Sequence, residues 1–361
     1  MPCHIGVKKG DKYYMGAIFH DDGVNHYGGE SLAIFGAMGS GKSTLLQYLA
    51  QYTRYLPEGS KDAMIARVLA GHPADKTEPE TIVYRGRQFD IWNSLLPDQW
   101  MKSQPDFVFE PKPVYLFVHK DDPLQFTYID NKTNKRHPLP DLPQVSRYVD
   151  AEDLFGRIRH GAINIVYEPE RYQLSRYLAR KLSEKKMERQ RVQSEKPQGK
   201  LRRLESETKK IRDTIVPSPI FWYDFIYQTA HLKGNEFMTF IVDEFHDVAE
   251  GRSEGDMWKL ADIFANRFVD IRKLNISFYL VAHDTVFVDW RIFQRIERYC
   301  WLPRCRIPPD KSPIYPAMVK HLSVGEAYFE HKLSGWGFVE FPRIKNQPPL
   351  VRVIGGREKD I

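Results

Sequence analysis

Eight consecutive residues, Gly36-Ala37-Met38-Gly39-Ser40-Gly41-Lys42-Ser43, fit the spacing G-x-x-x-x-G-K-[ST] at every fixed position. Three glycines in six positions let a backbone fold tightly and aim several N–H groups at one point, where an anion can sit. Lys42 adds a point charge suited to the β- and γ-phosphates of a nucleotide, and the Ser43 hydroxyl suits Mg²⁺. The chemistry implied is binding of a nucleoside triphosphate, ATP with Mg²⁺. Gly36, Ala37, Met38, Gly39, Ser40, Gly41, Lys42, Ser43 and Thr44 are the expected contacts.

Such a loop needs a strand before it and a helix after it, so that a helix N-terminus faces the phosphates. Ser31-Leu32-Ala33-Ile34-Phe35 is an apolar run of buried-strand type, and Thr44 to Ala50 opens an apolar-periodic helix without Gly or Pro. The other half of a hydrolytic site requires a carboxylate on a neighbouring strand. Phe237 to Val242 is apolar and ends in Asp243-Glu244. Asp243 is expected on the metal side, and Glu244 as the base that polarises the attacking water. A further strand, Ile276 to Ala282, ends in His283-Asp284. Ligands of open parallel sheets gather at strand C-termini, so Gly36, Asp243 and His283 should share one edge. His283 or Asp284 could sense the γ-phosphate or orient water; a polar strand end facing solvent is the alternative. Arg267, Arg272 and Lys273 lie on or just after a helix expected at Met257–Val269. Arg272 is the first candidate for an arginine supplied to a neighbouring subunit's γ-phosphate. A plain surface arginine is the other reading.

The expected fold class is α/β, a largely parallel sheet flanked by helices. Residues 1–56 form a lead-in or β-hairpin followed by the phosphate-loop strand and helix. Residues 57–150, rich in Pro, Asp and short β-type runs, are expected to be a β-rich insertion. Its strands are placed at Thr81–Tyr84, Val114–Val118 and Phe126–Ile129, with turn material at 130–134 and a linker from Pro138 to Pro143. Residues 151–361 carry the remainder of the core, starting with a strand at Ala162–Tyr167. A helical arm at about 169–216 is broken by Pro197-Gln198-Gly199.

Composition narrows the function classes. With 42% hydrophobic and 13% aromatic residues among 361, the chain is globular rather than disordered. No apolar run approaches a membrane span and no secretory h-region opens the chain, so a cytoplasmic location is expected. Cys3, Cys300 and Cys305 are an odd, sparse set, better read as unpaired thiols than as half of a metal site. The net charge of +6 is unevenly spread: residues 171–212 hold fifteen Lys/Arg and five Glu, leaving the rest mildly acidic. A basic segment on an acidic body suits a polyanionic partner, or is simply a solvated helix.

Together these blocks resemble the HerA/FtsK superfamily of DNA-pumping ATPases. Leu32 to Ser43 is similar to the family's apolar strand and Gly-x-x-Gly-Ser-Gly-Lys-Ser loop, and Phe240 to Glu244 to its Asp-Glu strand end. Ile271-Arg272-Lys273-Leu274-Asn275-Ile276 through Asp284 resembles the basic turn and strand that end, in the family, in Thr-Gln or Ser-Gln. Leu322 to Ala327 resembles its final Leu-x-x-Gly-Glu-Ala region. The resemblance implies a RecA-like core, a homohexameric ring, and Mg-ATP hydrolysis coupled to movement or packaging of DNA, with Arg272 acting across subunits. The departures are His283-Asp284 in place of Thr-Gln, and the absence of a family role for 57–150 and for the basic arm. A nucleotide-dependent virion-assembly or secretion ATPase and a regulatory NTP switch are the alternatives.

Overall fold

The computed structural model describes residues 7–9, 12–14, 31–52, 81–86, 112–120, 124–130, 135–139, 145–167, 218–232, 238–249, 256–274, 276–308, 312–332, 335–340 and 351–357. The basic arm at 169–216 lies outside them. A ten-stranded sheet dominates. Its strands in chain order are β3 (Ser31–Phe35), β4 (Thr81–Gly86), β5 (Val114–His119), β8 (Val145–Tyr148), β9 (Ile163–Tyr167), β10 (Met238–Val242), β11 (Ile276–Ala282), β12 (Arg298–Trp301), β13 (Glu326–His331) and β14 (Gly335–Glu340). The spatial order is β14-β13-β12-β3-β11-β10-β4-β9-β5-β8. All pairings from β12 to β8 are parallel, and β13 and β14 add an antiparallel margin.

The central strands read as near-continuous apolar runs because both of their faces are covered. Every residue of β3, β10 and β11 is buried. One face packs Leu32, Ile34, Tyr279 and Val281 against Leu45, Leu46 and Leu49 of helix α1 (Lys42–Tyr52). The opposite face packs Phe240 and Phe278 against two helices. Phe221, Trp222 and Phe225 come from α3 (Ser218–Leu232), and Phe264 and Phe268 from α4 (Asp256–Lys273). A short helix, α2 (Ala151–Arg157), is capped by the Asp150 carboxylate, which accepts from the Asp153 N–H at 2.9 Å.

Two small antiparallel sheets complete the described structure. The N-terminal hairpin pairs β1 (Val7–Lys9) with β2 (Lys12–Tyr14). The other sheet has the order β15-β6-β7, joining Leu124–Asp130 and Lys135–Leu139 to the C-terminal strand Val351–Arg357. Residues 57–150 are therefore not one inserted body, contrary to the expectation. Among the described strands of this segment, β4, β5 and β8 belong to the main sheet, and β6 and β7 belong to a separate one. Short apolar runs look alike in a core sheet and in an insertion; only long-range pairing separates them. The linker expected at Pro138–Pro143 likewise begins inside β7. That strand lies at the edge of its sheet, where a proline's missing N–H costs no ladder bond.

Candidate active site

Strand order positions the site. β11 lies between β3 and β10, so the ends of three parallel strands, Phe35, Val242 and Ala282, sit side by side. The loop after β3 turns through Gly39 (φ 74°) and Gly41 (φ 97°), in the left-handed region that glycine occupies without strain. Gly36 is required for a different reason. A Cβ there would lie 2.3 Å from Ser40 Oγ and 2.8 Å from Leu302 Cβ. Helix α1 begins directly at Lys42, and the Leu45 N–H closes its first turn on the Gly41 carbonyl at 2.9 Å. Met38, at the tip, points outward and is 86% exposed.

Lys42 is buried, and its ammonium is fully engaged. It donates to the carbonyls of Gly36 at 2.7 Å and Ala37 at 3.0 Å, and to His283 Nδ1 at 3.0 Å. Burial lowers its pKa, and the charges of Glu244 and Asp243 pull in the opposite sense. With Nδ1 accepting, the neutral His283 ring carries its proton on Nε2, which donates to Glu244 Oε1 at 3.1 Å. The second carboxylate oxygen of Glu244 lies 3.2 Å from His246 Nδ1. A continuous chain Lys42–His283–Glu244 thus links the loop to the end of β10.

Asp243 is buried, and burial raises its carboxyl pKa; the neighbouring Glu244 charge adds to the rise, while Arg85 and Lys42 oppose it. Its Oδ1 accepts the Glu244 N–H at 2.9 Å. Among the described residues no cluster of three or more His, Cys, Asp or Glu could hold a metal unaided. Mg²⁺ binds one or two protein oxygens and takes its remaining ligands from phosphate and water. Ser43, exposed in the first turn of α1, and Asp243 are the protein groups that fit.

Of the expected residues, the structure brings together Lys42, Asp243, Glu244 and His283. Asp284 makes a local contact. Its carboxylate caps the following 3-10 turn (Thr285–Phe287), accepting from the Val286 N–H and the Thr285 hydroxyl, both at 3.2 Å. Both bonds use Oδ1, while His283 is the member of the pair that contacts Lys42 and Glu244. Arg272 lies in the last turn of α4, which runs longer than expected and reaches Lys273. It precedes the first residue of β11, so it sits at the opposite edge of the sheet from the loop. The seven-residue strand separates the two by about 20 Å.

Three participants escaped sequence reasoning: Arg85, His246 and Asp247. Arg85, 1% exposed, donates from one guanidinium nitrogen to the carbonyls of Asp243 at 2.8 Å and Glu244 at 3.2 Å. Its other terminal nitrogen meets Asp247 Oδ2 at 3.4 Å. An arginine closing the strand Thr81–Tyr84 was the visible signal, but nothing local says that β4 adjoins β10.

The fold is of the P-loop type, a parallel sheet with a phosphate-binding loop between β3 and α1. No protein-family model matches the chain, and no curated protein matches it in sequence. Among solved structures, the chain is similar to the genome packaging NTPase B204 from Sulfolobus turreted icosahedral virus 2 in complex with ATP-gammaS. The identity is 8%, over 87% of this chain and 98% of that one, with a TM-score of 0.37. It is also similar to the N-terminal domain of zonular occludens toxin from Neisseria meningitidis, at 11% identity over 88% and 87% of the two chains (TM-score 0.28). The cytoplasmic domain of the Thermomonospora curvata type VII secretion ATPase EccC matches at 9% identity, over 96% of this chain and 26% of that one (TM-score 0.35).

Proposed function

We propose that this protein hydrolyses Mg-ATP and uses the energy to move or package DNA as a ring-shaped oligomer. The observation that carries the hydrolysis reading is the convergence of Lys42, Asp243, Glu244 and His283 on one edge of the parallel sheet, joined by the contacts above. A triphosphate entering over the N-terminus of α1 would take Lys42 from the Gly36 and Ala37 carbonyls onto its phosphates. His283 would then be free to orient Glu244, or to contact the γ-phosphate. Glu244 polarises the attacking water as general base. Mg²⁺, held through Ser43 and Asp243, would neutralise charge developing on the phosphates.

Arg272 stands too far along the sheet to reach the nucleotide of its own chain, which favours a role in a neighbour's site. Hexameric assembly follows from that role and from the family resemblance. Duplex DNA is the partner suggested by the basic segment 171–212, whose lysines and arginines would contact phosphates without reading bases.

The test is ATP turnover with and without duplex DNA at low salt, combined with the mass of the ATP-bound assembly. Turnover should require Mg²⁺, rise several-fold with DNA, and lose that stimulation steeply with added salt. Turnover indifferent to DNA would remove the translocase reading and favour an assembly or secretion ATPase. A monomer under all conditions would remove the shared site.

A further inference from the structure

We propose that Arg85 is a positioning residue for hydrolysis: its guanidinium selects the backbone conformation that turns the Glu244 carboxylate toward Lys42. The inference rests on the hydrolytic reading above and adds a residue from outside the phosphate loop and the acidic strand end. Glu244 has φ 52° and ψ 51°, the left-handed region that a residue with a Cβ enters at a cost. In an extended strand, successive carbonyls point in opposite directions. A helical-type conformation of either hand makes them roughly parallel. At Glu244 this brings the carbonyls of residues 243 and 244 to the same side, where one nitrogen of Arg85 binds both. If Glu244 continued as a strand, the second carbonyl would turn away and that bond would be lost.

The rest of the guanidinium makes longer contacts. Its second terminal nitrogen pairs with Asp247, three residues past the turn, and its carbon lies 5.9 Å from the centre of the Trp222 ring. Arg85 opposes Val242 in the parallel register of β4 and β10, so its side chain reaches just past the strand end. A planar fork with several donors can hold two carbonyls and a carboxylate together; an ammonium on a flexible stem cannot hold all three in one plane. The reversal at Glu244 is what brings Oε1 to His283 and Oε2 to His246. Without the clamp the carboxylate would still be present, but its direction would be unset.

The test is Arg85→Lys, which keeps the charge and most of the packing. Against wild type, kcat for ATP should fall roughly 30- to 100-fold with KM and the affinity for a non-hydrolysable ATP analogue within about threefold, since misplacing a catalytic group by an ångström costs that much. Combined with Glu244→Gln, the substitution should cost little more than Glu244→Gln alone, because both act through one carboxylate. A merely structural arginine would give multiplying losses. Asp247→Asn serves if the lysine variant does not fold, with kcat down about threefold to tenfold and KM unchanged. Wild-type kcat in the folded variant, or losses that multiply with Glu244→Gln, would overturn the proposal. A wild-type protein without any ATPase activity would instead overturn the function itself.

Discussion

The phosphate loop and the acidic turn after β10 face each other across the site, yet they are built by opposite means. The loop, Gly36–Ser43, reaches its left-handed positions at Gly39 and Gly41, where no side chain resists, and its contacts are mostly within itself. The turn reaches the same region at Glu244, a residue that resists it, and is held there by Arg85 from another strand. One half is a local solution written into consecutive residues. The other is a tertiary solution, in which β4, β10 and β11 each contribute a group. A loop that binds an anion needs only donors and room. A base that activates water needs a fixed direction, and fixing a direction takes contacts from outside the turn.

This division predicts that damage to the loop removes binding, and damage to the turn removes turnover alone. Lys42→Ala should have the largest effect, about 10³-fold or more in kcat/KM with ATP affinity weakened in parallel. Equilibrium binding of a fluorescent ATP analogue beside steady-state turnover would show both. Glu244→Gln comes next. It should lower kcat about 10²-fold while leaving ATP binding near wild type, trapping an ATP-bound state seen as nucleotide co-eluting with the protein. If Glu244→Gln weakened ATP binding as much as Lys42→Ala, the two halves would not be functionally separate.

The same contrast explains what the sequence could tell. The loop, its strand and its helix are contiguous, so spacing and apolar periodicity sufficed for Gly36, Lys42 and Ser43. Asp243-Glu244 and His283 were legible because each closes an apolar run long enough to be a buried strand. The pairing of His283 with Lys42 was not legible, because it needs β11 between β3 and β10, a fact of strand order. Arg85 was hidden for the same reason, and because its strand looked like part of an insertion. Asp284 misled in the opposite way. Adjacent to His283, it caps a turn, accepting from one backbone and one hydroxyl donor.

The smallest expected effect concerns Asp243, where function and stability pull apart. Burial and the neighbouring Glu244 charge raise its pKa in the folded protein above the ordinary carboxylate value. The folded state therefore holds this proton more tightly than the unfolded chain. The group favours folding at acidic pH, and that contribution fades as pH climbs from the ordinary value through the raised one; beyond it, the ionised carboxylate is a net cost. Asp243→Asn keeps the shape, and keeps an oxygen to accept the Glu244 N–H, but carries no charge. It should melt slightly higher than wild type at pH 7.5 without nucleotide or Mg²⁺. The gap should close toward pH 4. With saturating Mg-ATP the order should reverse, because only the wild-type carboxylate gains the cation, and bound ligand stabilises in proportion to its affinity. Melting curves at two pH values, with and without Mg-ATP, test the sign of each difference. A wild-type protein that melts higher in the empty state at pH 7.5 would mean that Arg85 and Lys42 more than compensate for the burial of Asp243. The acidic turn would then be stabilised by its charges before any nucleotide arrives.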